Sequence, residues 1–199
     1  MTEYPTPSSM DNESLAEALW HEEVCLVTEA IQYANGKIEE LSEVDSKFDV
    51  VGLKRSRRLA VIRTTDILAM LAQGRSPTGS SVFGDFTPFT RLVASSKGTE
   101  YQITAGDVTG DGSYGYISVA DMDGNLKWLL FLNDENPFRE VFLIDGVVHG
   151  FSTSCSWCAL KLDDPKVVHC EDRRDWRKIE FDRDALEQAI VQAANELDL

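Results

Sequence analysis

The chain has 199 residues, with 34 acidic and 19 basic side chains and a formal net charge of -15. That balance excludes a general nucleic-acid binder and a protein that docks on an anionic membrane, because phosphates would be repelled. A hydrophobic fraction of 43% is enough for a packed core, and no apolar run is long enough to make a membrane-spanning helix.

Met1 to Asn12 has neither a basic region nor an apolar stretch, so it reads as a flexible tail and not as a signal peptide. Residues 13–199 read as one α+β domain. Ser14 to Ala34 carries Leu15, Ala18, Leu19, Leu26 and Ala30 at helical spacing, and Ser14-x-x-Glu17 is a capping-box pattern. A helix is therefore predicted there, stopped at Asn35-Gly36, with a further helical piece over Lys37–Val44. Phe48 to Leu53 reads as a short strand. Lys54-Arg55-Ser56-Arg57-Arg58 is a dense basic cluster, read as pairing with the acidic remainder. Leu59 to Gln73 reads as helix from Thr65, which closes an N-terminal helical segment at residues 13–74. Residues 75–90 form a loop by composition, anchored by Phe83, Phe86 and Phe89.

The sheet is expected over residues 90–181. Leu92–Ala94, Tyr101–Thr104, Tyr116–Ala120, Leu126–Leu132, Glu140–Ile144, Val147–Phe151, Trp157–Leu162, Val167–Cys170 and Trp176–Phe181 read as strands. Trp128 to Leu132 is apolar without alternation, which suits a central strand covered on both faces. Asp145-Gly146 between two such runs predicts a type I′ hairpin turn. Asp184 to Leu197 is the clearest helix, with Asp184 as N-cap and Glu187 as its reciprocal acid, and with Leu186, Ala189, Ile190, Ala193 and Leu197 on one side. The expected fold is α+β: an antiparallel sheet of about six to eight strands, flanked by N-terminal helices and a C-terminal helix at 184–197.

Gly110-Asp111-Gly112-Ser113-Tyr114-Gly115 matches G-x-G-x-x-G, but a strand follows it where a dinucleotide site needs a helix. Asp107, Thr109 and Asp111 place oxygens at alternate positions, as in a calcium loop. The stretch resembles the loop of EF-hand-type repeats and one FG-GAP propeller repeat. Its twelfth position is Ser118, where an EF-hand needs a bidentate acid, so a polar hairpin loop is the preferred reading. Cys155, Cys158, His169 and Cys170 form an alternative zinc set. His169 and Cys170 are adjacent and on a strand point to opposite faces. Buried, reduced thiols in the cytosol are therefore preferred, with no cofactor. The motifs of acyl-transfer, nucleotide and zinc-protease sites are missing, so no catalytic residue is assigned.

In general character the chain resembles the immunity proteins of bacterial polymorphic toxin systems, which are small, acidic, cytosolic and free of catalytic motifs. The resemblance is one of class and transfers no residue's role. It implies a cytoplasmic protein, not an enzyme, that inhibits a toxin domain by covering its basic surface. Independently of it, acids on exposed turns are the candidate contacts: Asp121, Asp123, Asp134 and Glu135. The alternatives are a zinc or calcium module and an adaptor of a bacterial assembly.

Overall fold

A computed structural model describes residues 20, 24–26, 30–35, 37–44, 47–52, 86–88, 91–97, 100–108, 114–132 and 137–197. The expected tail, the helix over 59–73 and the basic cluster at 54–58 lie outside the described residues. So do most of the expected helix over 14–34 and most of the loop over 75–90.

In chain order the strands are β1 Val24–Leu26, β2 Ala30–Tyr33, β3 Ile38–Val44, β4 Lys47–Gly52, β5 Phe86–Pro88, β6 Arg91–Lys97 and β7 Tyr101–Asp107. They continue with β8 Gly115–Asp121, β9 Leu126–Leu132, β10 Phe138–Ile144, β11 Val147–Ser152, β12 Ser156–Lys161 and β13 Val167–Asp172. A 3-10 helix at Arg174–Lys178 and the helix α1, Arg183–Glu196, follow. Eleven of these strands make one antiparallel sheet in the order β10-β11-β12-β13-β4-β3-β2-β9-β8-β7-β6, and β1 pairs with β5 apart from it. The sheet is larger than the six to eight strands expected. It curls, so that β10 at one margin lies across β6 and β7 at the other.

The curl creates an inside and an outside. Ile31, Ile103, Ile117, Trp128, Leu130, Phe138, Val148 and Leu160 meet in the interior. Gly150 of β11 lets β11 close on β8 across the interior: a Cβ there would lie 2.5 Å from Ile117 Cδ1 and 2.8 Å from Phe138 Cδ1. Two smaller clusters seal the outside. One joins Phe142, Phe151, Trp157 and Trp176 to Leu186 and Ile190 of α1. The other lies over β8 and β9 around Tyr116, Leu129 and Phe131, with Trp20 packed against it. β9 thus has Trp128, Leu130 and Leu132 inside and Leu129 and Phe131 outside. That double burial explains its unbroken apolar run.

Three expectations are corrected. Val24–Leu26, Ala30–Tyr33 and Ile38–Val44 are strands, so among the described residues 24–44 the N-terminal segment is sheet and not helix. Val24, Ile31, Tyr33, Ile38 and Val44 favour the extended chain, and β2 finds its partner in β9, with Ile31 opposite Leu130 and Tyr33 opposite Trp128. Trp176–Phe181 is not a strand. The chain turns where Arg174 N–H donates to Asp172 Oδ1 at 3.1 Å, and Trp176 N–H then donates to Arg173 O at 2.8 Å. Phe181 is left 83% exposed, without a strand's burial. The cap of α1 is Asp182, whose Oδ1 accepts from Ala185 N–H at 3.1 Å, in place of the expected Asp184.

The hairpin expectation at Asp145-Gly146 holds, with φ of 49° and 78° at the two central residues.

Candidate functional site

In an antiparallel meander the turns alternate between the two ends of the sheet. The β8–β9 turn (residues 121–125), the β10–β11 turn (145–146) and the β12–β13 turn (162–166) therefore share one end. The β2–β3 turn and the start of β7 join them, since Tyr33 is opposite Trp128 and Tyr101 is opposite Asp121. This end gathers Glu100, Asp121, Asp123, Asp145, Asp163 and Asp164, all exposed except the half-buried Asp121.

The β8–β9 turn is held by Asp121. Its Oδ1 accepts from the backbone N–H of Asp123 and of Asn125, both at 2.9 Å, and its Oδ2 accepts from Asn125 Nδ2 at 2.8 Å. The Asn125 side-chain bond first, and then its backbone bond, hold the Asp121 carboxyl below the usual carboxylate range. Gly124, at φ 91°, completes the turn, and its carbonyl accepts from Trp20 Nε1 at 3.0 Å. Met122 is left 52% exposed between two carboxylates.

Two tyrosines stand behind this rim. Tyr33 donates its hydroxyl to Glu39 Oε2 at 2.5 Å, and Lys37 pairs with the same buried carboxylate. Burial raises the Tyr33 phenol far above its ordinary value, and the Glu39 bond and the charges of Glu39 and Asp164 add to it. On the other side Lys127 pairs with Asp163 at 2.6 Å, donates to Tyr101 Oη at 3.3 Å and lies 4.4 Å from the Tyr101 ring centroid. Burial pulls the Lys127 ammonium down, but the bonds to Asp163 and Tyr101 outweigh it and leave it raised. Between these groups Trp128 Nε1 donates to Leu162 O at 2.9 Å, tying β9 to the β12–β13 turn.

Pairing separates this end from the helix side. Lysines take Glu39, Asp163 and Asp164, whereas Glu100, Asp121, Asp123 and Asp145 have no ion pair among the described residues. Beside α1, arginines take Glu140, Glu171, Asp172 and Glu180. The acids are not confined to one end, because Asp184 and Glu187 line an open groove along the outer side of α1.

Of the four candidate contacts, two fall among the described residues. Asp121 and Asp123 are on the rim. Asp134 and Glu135 lie outside the described residues. Glu100, Asp145, Asp163, Asp164 and the Tyr33–Glu39 pair were not singled out from the sequence. The turn parity was a usable signal, since odd-numbered turns of a meander share an end.

The zinc set is not assembled. Cys158 and Cys170 face each other across β12 and β13 with Cα atoms 4.2 Å apart, and their sulfurs are bonded. This corrects the expectation of reduced thiols at these two positions. Their disulfide lies inside the curl, while Cys155 is a free, buried thiol in the outer cluster. His169 is also on the outside, edge-on to Trp157 at 5.2 Å. In the calcium stretch Asp107 is buried, and Thr109 and Asp111 lie outside the described residues. Among the described residues no group of three or more His, Cys, Asp or Glu side chains is placed to hold a metal ion. No described helix is long and apolar enough to cross a membrane.

No protein-family model matches the chain, and no curated protein matches it.

Proposed function

We propose that the chain is an acidic binding protein that covers a basic surface on a protein partner, in the manner of an immunity protein that blocks a toxin domain in the cytoplasm. The observation that carries this reading is the end of the sheet where Glu100, Asp121, Asp123 and Asp145 stand without lysine or arginine partners among the described residues, with Met122 exposed in the same β8–β9 turn as Asp121 and Asp123. Unpaired surface carboxylates attract a cationic partner over about a Debye length, 8–10 Å, and speed encounter. Met122, with a flexible and polarizable side chain, supplies an apolar contact where the charges have brought the partner in. The Asp121 bonds keep this turn in one conformation before binding, which lowers the entropy cost of docking.

The experiment is retention of a basic partner from the source cell's lysate on immobilised protein. The comparison is a variant carrying Glu100→Gln, Asp123→Asn and Asp145→Asn. These changes remove charge and leave Asp121 in place, and Asn is compatible with the positive φ at 145. A basic protein held by the native chain at low salt, released at high salt and lost from the triple variant supports the reading. Retention that the triple variant shares in full, or no salt-sensitive partner, refutes it.

A further inference from the structure

His149 lies on the outer face of β11, between Phe142 of β10 and Ala159 of β12 in the strand register. It is 1% exposed. Both flanking residues belong to the cluster that α1 closes with Leu186 and Ile190. The His149 ring stacks on Trp157 at 5.9 Å with the planes 16° apart, and its Nδ1 accepts from Trp157 Nε1 at 3.3 Å. An indole nitrogen only donates. Nδ1 must therefore be the unprotonated nitrogen of a neutral ring.

We propose that His149 is a proton-operated latch for the C-terminal helix: a proton on Nδ1 sets N–H against N–H at Trp157, leaves a buried charge, and releases α1 from the sheet. The described charges on this face are committed elsewhere. Glu140 pairs with Arg183, Glu180 with Arg139, and Glu171 with Arg173 and His169, while Lys161 is exposed. The 3-10 helix turns Trp176 inward, and α1 turns in Leu186, Ile190, Ala193 and Ala194, so neither brings a carboxylate to the ring. Burial accordingly lowers the His149 pKa to about 4 from 6.5.

The direction follows from linkage. Above pH 6.5 neither the closed nor the open form carries the proton. As pH falls from 6.5 towards 4 the open form takes it first, and opening becomes easier by up to about tenfold per pH unit, about 30-fold at pH 5. His169 faces Glu171, where a charged ring has a partner, so it serves as the control.

The test is hydrogen exchange of the α1 amides, corrected for intrinsic rates, from pH 7.5 to 4.5. Native protein, His149→Gln and His169→Gln are compared. Glutamine keeps an acceptor for Trp157 and cannot take the proton. Protection of α1 is expected to fall about 30-fold by pH 5 in native protein and in His169→Gln, but not in His149→Gln, with β8 and β9 unaffected in all three. A His149→Gln response equal to the native one overturns the latch. Should the glutamine variant not fold, imidazole nitrogen NMR of native protein decides. A charged His149 ring in protein whose α1 is still protected overturns the proposal, and charging that coincides with loss of α1 protection supports it.

Discussion

Replacing Gly150 by alanine tests whether the curl of the sheet depends on a missing side chain. The position is an ordinary strand residue, so alanine itself relieves the chain of a glycine's conformational freedom, worth about 0.5–1 kcal/mol. Against that stands the space. The new Cβ would lie 2.5 Å from Ile117 Cδ1, and 2.8 Å and 3.0 Å from two Phe138 ring atoms, where carbon atoms prefer about 3.5–4.0 Å. Ile117 and Phe138 are both fully buried, so neither can swing into solvent. Overpacking of this kind costs about 1–3 kcal/mol, which exceeds the gain in chain entropy. The expected result is a net loss of about 1–2 kcal/mol, read as a lower urea midpoint at unchanged slope by tryptophan fluorescence. Ile117→Val removes the closest clashing atom. Alone it should cost about 0.5–1.5 kcal/mol, and in combination it should recover part of the Gly150→Ala loss, giving a coupling of at least about 0.5 kcal/mol. Gly124→Ala is the contrast: nothing lies within 4 Å of its Cβ, but its φ of 91° is strained for alanine, so a loss is expected with no coupling to Ile117. A Gly150→Ala protein as stable as the native one, or strict additivity with Ile117→Val, would refute the claim that β11 must close on β8 through this gap.

Reducing the disulfide, or the Cys158→Ser and Cys170→Ser pair, should cost about 3 kcal/mol, because the bond closes a short loop of sequence separation 12. Equal urea midpoints with and without reductant would contradict it. Asp182→Ala removes the side chain that accepts from Ala185 N–H and should cost about 1 kcal/mol, while Asp184→Ala, at the position expected from sequence, should cost less; reversed losses in thermal unfolding would place the cap wrongly. The rim triple variant should leave the unfolding midpoint within about 0.5 kcal/mol of native, since exposed charges away from special contacts matter little to folding. A larger loss would make those acids structural.

The site was partly legible in the sequence. Asp121 and Asp123 were picked out because an Asp-Met-Asp-Gly-Asn turn must be exposed, and the structure puts them on the acid-rich end. Asp134 and Glu135, expected to be exposed for the same reason, lie outside the described residues. Exposure is a local property that composition reveals, whereas adjacency of turns depends on how many strands intervene. Glu39 was hidden by its acidic surroundings, Ile-Glu-Glu-Leu-Ser-Glu-Val, which read as helix. Its role appears only when Tyr33 and Lys37 are brought to it across the β2–β3 turn.

Local residue pattern was enough to set the strands from β8 to β13, because each is a short apolar run closed by residues that favour a turn, and its partner is usually the next run along. It also determined the Asp145-Gly146 hairpin and the amphipathic α1. Tertiary structure decided the identity of β2 and β3 and the size of the sheet. Ile31 gains Leu130 as a neighbour across about a hundred intervening residues, and no local pattern encodes a partner so far away. It also decided which cysteines meet. Cys158 and Cys170 come together because β12 and β13 set them directly opposite on the inner face, while Cys155, three residues from Cys158, is turned to the outside.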